Sequence, residues 1–379
     1  QTVLVPMSMS RLLFITQKVD KDDDVLGVYH RWIEELSKKV DKINVICLYK
    51  GRLELPSNVG VFSLGKDKLS DADLRGLKRG FTRIKYTIRF WKYIWKLKRD
   101  YDTVFVHMNP IYVVLGGIFW KLSRKKIFLW YNHPLGNLTA KIGIKLADRV
   151  FCTSPYSFSA RYGKTSLMPA GIDTDFFHPM PEISKNNKQI LYLGRISPIK
   201  KIEHLIEAAK ILDGRGLDFK VLIIGSPGSS LADREYELRL KKISSDLLSK
   251  NKIEFKSAVS NHQTPEVYNS SGIFVNLTPT GSLDKTILEA MACGTVVLVS
   301  NKVFVSLFNE ETAGECMFTE GNFLDLAAKI ENLLSLPAFQ KTELGRQSRD
   351  IAVRHHSLAR LVDQLTESAN VRSHTKNGA

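Results

Sequence analysis

Residues 278–301 read Thr-Pro-Thr-Gly-Ser-Leu-Asp-Lys-Thr-Ile-Leu-Glu-Ala-Met-Ala-Cys-Gly-Thr-Val-Val-Leu-Val-Ser-Asn, and no other stretch of the chain is as informative. The turn residues up to Asp284 predict a loop, Lys285–Ala292 predicts a helix, and the apolar run Val296–Val299 predicts a buried strand. A helix that begins directly after a glycine-containing loop presents unbonded N–H groups and the positive end of its dipole. The stretch therefore predicts an anion site, suited to a diphosphate, at the start of this helix.

The same alternation of short apolar runs and helical patterns extends along the whole chain and predicts parallel sheets built from β-α-β units. Strands are predicted at Leu12–Thr16, Ile43–Tyr49, Thr103–Met108, Ile127–Tyr131, Val150–Thr153, Ile190–Leu193, Phe219–Ile224, Ile253–Phe255, Ile273–Leu277 and Val296–Val299. Helices are predicted at Val28–Lys39, in the basic segment Lys78–Arg99, and at Tyr112–Leu122, Leu138–Ala147, Ile202–Leu212, Leu231–Leu248, Pro265–Ser270, Lys285–Ala292 and Leu358–Ser368. A chain of 379 residues has room for two such α/β domains.

A linker-like composition separates the two halves. The turn-rich loop Met168–Pro179 is followed by a polar stretch that reaches Asn187. We therefore expect an N-terminal domain over residues 9–175 and a C-terminal domain over residues 185–355. Gln1–Ser8 shows no structural pattern and is left out of the first domain.

Composition narrows the class of protein. Charged residues make up 25% of the chain and hydrophobic residues 44%, which are ordinary globular values. No apolar run reaches the roughly 18 residues that a membrane span requires, and no signal-peptide pattern is visible. The four cysteines are far apart and lack metal-binding spacing, which predicts buried free thiols and a cytoplasmic, reducing location.

The net charge of +16 is concentrated in one segment. Between Lys78 and Arg99 there are nine Lys/Arg residues and no acidic residue. On a helical wheel a basic stripe (Lys85, Arg89, Lys92, Lys96) lies beside an apolar stripe (Ile84, Ile88, Trp91, Trp95). Two interpretations stay open: a helix lying in the interface of an anionic membrane, or a helix whose aromatic side packs on its own domain. A second apolar sector, with Tyr86, Phe90, Tyr93, Ile94 and Leu97, has to be covered in either case. No nucleic-acid recognition module is visible, so nucleic acid is not an expected partner.

Residues 278–301 resemble the donor-site segment of the retaining GT-B glycosyltransferases of family four, also called glycosyl transferases group 1. In that family a Glu is followed by seven residues, a second Glu and Ala-Met-Ala-x-Gly. The second Glu is here Glu289, whereas Gly281 stands in place of the first. The resemblance implies an α/β protein of GT-B type, with two Rossmann-like parallel-sheet domains facing each other across a cleft. It also implies that the C-terminal helix, residues 356–372, crosses back to the N-terminal domain.

The segment Leu193–Lys201 carries a second part of the resemblance. It is similar to the family motif Gly-Arg-x-x-x-x-Lys-Gly, with Lys201 in place of the second Gly. Arg195 and Lys200 are thereby expected to stabilise a nucleoside-diphosphate leaving group as the glycosidic bond breaks. The alternative is that both are ordinary exposed surface cations.

The resemblance assigns further residues to the site. Expected catalytic residues are His133, which contacts the transferred sugar, and Glu289, whose carboxylate accepts from a sugar hydroxyl, together with Arg195 and Lys200. Expected donor-binding residues are Gly27, Gly225, Ala258, Val259, Gly281, Ser282, Leu283, Asp284 and Lys285. His107 is a second strand-end histidine with less defined chemistry. Asp22–Asp24 is read as an acidic run before a helix rather than a metal site, so chemistry without a metal or other cofactor is expected.

The implied function is a retaining, metal-independent transfer of sugar from a UDP- or GDP-sugar. With Gly281 no side-chain nucleophile is evident, so the resemblance implies a front-side mechanism in which the leaving phosphate helps deprotonate the acceptor. The basic-aromatic segment favours a lipid-linked acceptor, peripheral attachment to the inner membrane face, and a role in surface polysaccharide or glycan assembly. Two alternatives stay open: a nucleotide-sugar epimerase of similar fold, and an inactive nucleotide-sugar-binding or membrane-surface protein.

Overall fold

The computed structural model describes residues 11–23, 26–68, 78–281 and 283–370, of which 78–80 and 370 are described by their backbone alone. Asp24 and Ser282, which the sequence analysis singled out, lie outside the described residues. Backbone contacts divide the chain into two compact units. Unit 1 runs up to Gly171 and resumes at Leu358, and unit 2 runs from Ile172 to Ser357.

Unit 1 contains a seven-stranded, fully parallel sheet, which confirms the predicted α/β class for this half. Its strands are β1 (Arg11–Val19), β2 (Lys42–Lys50), β3 (Val59–Ser63), β4 (Thr103–His107), β5 (Lys126–Trp130), β6 (Arg149–Cys152) and β7 (Thr165–Leu167), in the spatial order β3-β2-β1-β4-β5-β6-β7. The sequence analysis predicted neither β3 nor β7. Both lie at an edge of the sheet, are only partly buried, and lack the continuous apolar run of an inner parallel strand.

Helices cover both faces of this sheet. They are α1 (Val28–Ser37), α2 (Lys78–Lys96), α3 (Ile111–Leu122) and α4 (Leu138–Leu146). Successive β1 residues alternate between two buried clusters: Phe14 packs with Trp32 of α1, whereas Ile15 packs in the cluster that contains residues of α2, α3 and α4. The second apolar sector of α2 lies in this latter cluster, where Phe90, Ile94 and Leu97 are buried.

Unit 2 contains a five-stranded parallel sheet with helices around it. Its strands are β8 (Asn186–Leu193), β9 (Lys220–Ile224), β10 (Ile253–Lys256), β11 (Ser271–Asn276) and β12 (Val296–Val299), in the spatial order β10-β9-β8-β11-β12. Its helices are α5 (Glu203–Gly214), α6 (Leu231–Ile243), α7 (Ser245–Ser249), α8 (Thr264–Asn269), α9 (Lys285–Ala292), α10 (Glu310–Cys316), α11 (Phe323–Ser335) and α12 (Ala338–His356). The last three of these were not predicted. The predicted single helix Leu231–Leu248 is wrong, because it is divided at Ser244, whose hydroxyl donates to the Leu240 carbonyl at 2.8 Å.

The last helix, α13 (Leu358–Asn370), belongs to unit 1. Leu361 and Leu365 of α13 lie in the same buried cluster as Trp32. The Trp32 indole donates to the Gly171 carbonyl at 3.0 Å. Gly171 has φ +71°, and a Cβ there would come within 2.4 Å of the Leu361 side chain, so only glycine fits between this helix and the indole.

Both sheets reverse their strand order at an equivalent place. In unit 1 the reversal lies between β1 and β4, and in unit 2 it lies between β8 and β11. In open α/β sheets, ligands bind beyond the carboxyl ends of the strands at such a reversal. The loops that follow these four strands are therefore where a site is expected.

Candidate active site

At the reversal in unit 2, an ion pair joins the loop after β8 to the loop after β11. The Lys200 ammonium lies 2.7 Å from the Asp284 carboxylate and donates to the Thr278 hydroxyl at 3.0 Å. The same carboxylate oxygen accepts from the Asn276 amide at 3.2 Å. The other Asp284 oxygen caps the start of α9 by accepting from the Thr286 N–H. One carboxylate thus holds both loops and the helix start in place.

Asp284 is ionised in this environment. Burial alone raises the pKa of its carboxyl, but the Lys200 ammonium and the hydrogen bonds from Asn276 and Thr278 prevail and hold the pKa at about 2. Lys200 is therefore paired with a carboxylate and is not an exposed surface cation, which was the alternative left open by the sequence. A diphosphate bound at this site would contact a Lys200 ammonium that also contacts the Asp284 carboxylate.

Two further ionisable side chains of α9 are partly buried: Lys285 at its first position and Glu289 one turn further on. Burial raises the pKa of Glu289 to about 7, and this effect is only partly opposed by the Lys285 charge and by the Tyr268 hydroxyl, which donates to Glu289 at 3.1 Å. Burial lowers the pKa of Lys285 to about 8. Because the pKa of Glu289 lies near neutrality, its carboxyl changes charge between about pH 6 and 8.

The loops that follow β8, β9 and β10 lie against one another at the same edge. The Ile196 N–H donates to the Ser226 carbonyl at 3.0 Å, and the Ala258 N–H donates to the Ser226 hydroxyl at 3.2 Å. A Cβ on Gly225 would lie 1.9 Å from the Gly194 carbonyl oxygen, so glycine is required at this close approach. Arg195 and Ala258 are exposed and Val259 is half-buried.

Lys201 adopts a backbone conformation that favours glycine. Its φ is +49° and ψ +39°, in the left-handed region, at the position where the family motif has Gly. Its ammonium lies 3.5 Å from Glu320, whose other oxygen accepts from the Thr280 N–H at 3.1 Å. In the loop before α9, Gly281, which follows Thr280, is buried, and so is Leu283.

In unit 1 a cavity of about 410 Å³ lies at the carboxyl ends of β4 and β5. Its lining residues are Met108, Asn109, Pro110, Ile111, Tyr131, His133, Asn137 and Thr139. The His133 ring lies with Nδ1 2.9 Å from the Leu135 carbonyl and 3.1 Å from the Leu135 N–H. Because the backbone of Leu135 engages Nδ1, Nε2 is the ring nitrogen that remains for a hydrogen bond to a ligand.

Two other predicted residues of unit 1, Gly27 and His107, are closely packed against their own domain. Gly27 lies at the start of α1 with φ −57°, and a Cβ there would lie 2.5 Å from the Asp23 carbonyl oxygen. His107 is the last residue of β4, as expected, but it is 4% exposed and its ring centroid lies 4.1 Å from that of Tyr29, so its side chain packs among aromatic rings.

The acidic run before α1 is occupied by ion pairs. Asp22 lies 3.3 Å from Arg52, and Asp23 lies 2.5 Å from Lys18. Within the described ranges, no group of three or more His, Cys, Asp or Glu side chains is arranged to hold a metal ion.

The stripes predicted on α2 are only partly as expected. Lys85, Lys92 and Lys96 are exposed, whereas Arg89 is half-buried and donates to the Leu64 carbonyl. The apolar stripe Ile84, Ile88, Trp91 and Trp95 stays 49–61% exposed. In the part of the chain that the structure describes, no helix is long and apolar enough to cross a membrane.

The sequence analysis missed Asn276, Thr278, Tyr268 and Glu320. Asn276 and Thr278 are polar residues at the end of a buried strand, and that position was the available signal for them. Tyr268 and Glu320 come from segments distant in sequence, and nothing local marks them.

The fold and the charged sheet edge of unit 2 define a class: this is an α/β protein with the GT-B glycosyltransferase fold. Residues 173–350 match the family model described as glycosyl transferases group 1. This match over the C-terminal part of the chain confirms the resemblance.

Known proteins support this assignment. D-inositol 3-phosphate glycosyltransferase of Gordonia bronchialis is 28% identical over 156 residues, covering 38% of this chain and 34% of that protein. The chain spans about a third of the length of the first curated relatives that it matches. Among solved structures, Anabaena HepE in complex with UDP and glucose has 16% identity and a TM-score of 0.70, covering 96% of this chain and 100% of that one. Sucrose-phosphate synthase of Thermosynechococcus elongatus has 18% identity and a TM-score of 0.74, covering 95% and 98%.

Proposed function

We propose that this protein transfers a sugar from a nucleoside-diphosphate sugar to an acceptor. The observation that carries the proposal is the Lys200–Asp284 pair at the strand-order reversal of unit 2, beside the amino terminus of α9. A fixed cation and a helix start at one sheet edge suit a diphosphate. Anabaena HepE, which shares the fold, has been solved with UDP and with UDP-glucose, so a UDP-sugar is the first donor to test.

The leaving group sets the chemistry. As the bond between sugar and diphosphate breaks, negative charge grows on the phosphate oxygens, and fixed cations stabilise it. Arg195, exposed in the loop after β8, and Lys200 supply these charges, and the first N–H groups of α9 add their dipoles. Asp284 keeps Lys200 oriented before the donor arrives. With two cations in these roles, the transfer proceeds without a metal.

Retention of configuration is part of the proposal. Gly281 offers no side-chain carboxylate, so a covalent intermediate on that residue is ruled out. The attacking hydroxyl instead approaches from the side of the leaving phosphate, which accepts its proton. Glu289 is assigned to the donor, where its ionised form accepts a hydrogen bond from a hydroxyl.

The cavity of unit 1 is assigned to the reacting sugar and the acceptor. His133 presents Nε2 to it, and Asn109, Asn137 and Thr139 add polar groups suited to hydroxyls. The exposed basic and apolar stripes of α2 favour a lipid-linked acceptor, and hence peripheral membrane association and a role in surface polysaccharide or glycan assembly.

A donor panel tests the proposal. The purified protein is incubated with UDP- and GDP-sugars, with and without lipid-linked acceptors and with a metal chelator present. Release of nucleoside diphosphate with retained anomeric configuration is expected for at least one donor. Tight binding of a donor without hydrolysis or transfer under any condition would instead indicate a binding protein that has lost catalysis at Gly281.

A further inference from the structure

The outer helices on one face of the unit 1 sheet share an unusual composition. The helices α2, α3 and α4 pack their inner sides in one buried cluster, so their outer sides form one surface. None of the three helices contains an Asp or Glu residue. Strongly exposed apolar side chains lie on all three and just before α4: Phe81, Ile84, Ile88, Trp95, Ile118, Leu122, Leu135 and Leu138 are 59–81% exposed. We call this the α2-α3-α4 surface.

The charges on this surface are of one sign. Lys85, Lys92 and Lys96 are exposed on α2, and Lys141 and Lys145 are exposed on α4. The acidic residues that follow α2 and α4 in the chain are already paired, Asp100 with Lys42 and Asp148 with Lys121. The surface therefore presents uncompensated positive charge among large apolar groups.

The combination of exposed apolar side chains and positive charge indicates what kind of partner this surface binds. A monomeric protein rarely leaves so many neighbouring large apolar side chains in water. A second copy of the chain docked through the same surface would bring lysines against lysines, which costs free energy. An anionic lipid surface satisfies both features, since apolar side chains enter the acyl boundary and lysines meet lipid phosphates.

We infer that the α2-α3-α4 surface docks on an anionic membrane and that the acceptor is a lipid whose head group enters the adjacent cavity of unit 1. The cavity is built in part by the starts of the same helices, through Ile111 of α3 and through Asn137 and Thr139 at the beginning of α4. Leu135 and Leu138 lie beside it and are 73% and 72% exposed. The choice of a lipid-anchored acceptor rests on the proposed function, whereas the docking surface itself does not.

The tryptophans suit this arrangement. The Trp91 indole N–H donates to the Leu115 carbonyl at 3.0 Å, so its ring is held on the surface by α3 while half of it remains exposed. The Lys98 ammonium lies 3.9 Å from the centroid of the Trp95 ring. Amphipathic rings of this kind concentrate at the boundary between water and lipid.

Vesicle binding tests the surface. The intact protein is titrated with vesicles of phosphatidylcholine, with or without phosphatidylglycerol, and the bound fraction is measured by flotation. Binding is expected only with phosphatidylglycerol present. The triple variant Lys85→Gln, Lys92→Gln, Lys96→Gln is expected to bind roughly a hundredfold more weakly, about fivefold per cation. Arg89 is left unchanged because it holds the Leu64 carbonyl.

A second variant separates this surface from α2 alone. Ile118→Ser with Leu122→Ser removes two side chains of α3 that are 68% and 81% exposed, and should weaken vesicle binding about tenfold. The matched controls lie on unit 2: Leu231→Ser with Leu238→Ser, which are 71% and 68% exposed, and the exposed lysines Lys188, Lys210 and Lys242 changed to Gln. These controls are expected to bind vesicles as the unaltered protein does.

Several results would overturn the inference. One is equal binding to vesicles with and without phosphatidylglycerol, and another is unchanged binding by the Ile118→Ser, Leu122→Ser variant. A third is that the unaltered protein forms a dimer without lipid and that this variant is monomeric. Donor hydrolysis without vesicles, measured on the same proteins, separates this failure from that of the proposed function. Hydrolysis or transfer without vesicle binding defeats the surface alone. Vesicle binding with neither hydrolysis of any donor nor transfer to a lipid-linked acceptor defeats the transferase proposal and leaves the docking surface standing.

Discussion

The two sheets share one strand order up to their fifth strand but carry opposite chemistry at their reversal points. In unit 2 the edge between β8 and β11 holds a partly buried ion pair, Lys200 with Asp284, and an exposed Arg195 nearby in the chain. In unit 1 the cavity beside β4 is lined by uncharged groups and a histidine: two amides, the hydroxyls of Tyr131 and Thr139, and three apolar side chains. Because the backbone architecture is the same, the side chains alone decide which ligand each edge suits.

This difference is the basis on which we propose a place for each of the two substrates. Fixed charge suits a diphosphate, and neutral hydrogen-bonding groups suit sugar or acceptor hydroxyls. Each of the following changes therefore has an expected signature that belongs to one edge and not to the other.

The largest effect is expected from Arg195→Ala in unit 2. Loss of one preorganised charge that stabilises the leaving group should lower kcat/KM at least about a hundredfold. Arg195 is exposed, so the midpoint of thermal unfolding should stay the same. Arg234→Ala, an exposed arginine of α6, is the matched control in the same steady-state assay. A loss of equal size in both variants would show that general surface charge, not this edge, supports catalysis.

The next effect concerns stability and pH. Asp284→Asn keeps the hydrogen-bonding shape but removes the charge that faces Lys200, and should lower the free energy of unfolding by roughly 2 kcal/mol at neutral pH. The native pKa of about 2 lies below the ordinary 3.8, so the unfolded state binds more protons between these values. The contribution is therefore complete above about pH 4 and is lost as the pH falls toward 2.

Urea unfolding at several pH values measures this contribution. Asp218→Asn, in the exposed pair with Lys188, is the control and should change little at any pH. A difference between wild type and the Asp284 variant that stays constant from pH 7 down to pH 3 would contradict the assignment of charge to this pair.

A smaller effect is expected at the edge of unit 1. His133→Ala removes a hydrogen-bonding ring from the cavity and should reduce transfer by about tenfold or less, the usual value of one neutral hydrogen bond. Stabilisation by nucleoside diphosphate alone, followed by thermal shift, should be unaltered, since that ligand is assigned to unit 2. His355→Ala, exposed on α12, is the control. A weaker thermal shift with His133→Ala would contradict the assignment of the nucleoside diphosphate to unit 2.

The smallest effect separates backbone strain from charge at Lys201. Lys201→Ala and Lys201→Gly both remove the ammonium that pairs with Glu320, but only glycine relieves the left-handed conformation. The glycine variant should be more stable than the alanine variant by roughly 1 kcal/mol, measured by chemical unfolding. Equal stability would mean that this loop is not held in its left-handed form in solution.

Much of the fold was readable from the sequence because its signals are local. The helix Lys285–Ala292 has the predicted bounds, since a capping Asp284 precedes it and Gly294, with φ +71°, follows it. All ten predicted strands are present: eight are inner strands with apolar runs, and the edge strands β10 and β12 of unit 2 also carry apolar side chains. The edge strands β3 and β7 lack that signal.

The site was less readable because its decisive contacts are not local. Asp284 and Lys200 are 84 residues apart, and only the tertiary fold reveals that one neutralises the other. Likewise, the helical wheel predicted four equivalent cations on α2, but Arg89 donates to the Leu64 carbonyl and leaves three exposed. Periodicity identifies which face a residue lies on and says nothing about a partner from another segment.

A crystal soaked with UDP-sugar or GDP-sugar would show whether the edge of unit 2 between β8 and β11 binds a diphosphate, as we propose. Phosphate oxygens are expected within hydrogen-bonding distance of Arg195, of Lys200 and of the first N–H groups of α9. A diphosphate bound elsewhere, or an edge without ligand at saturating concentration, would contradict this proposal.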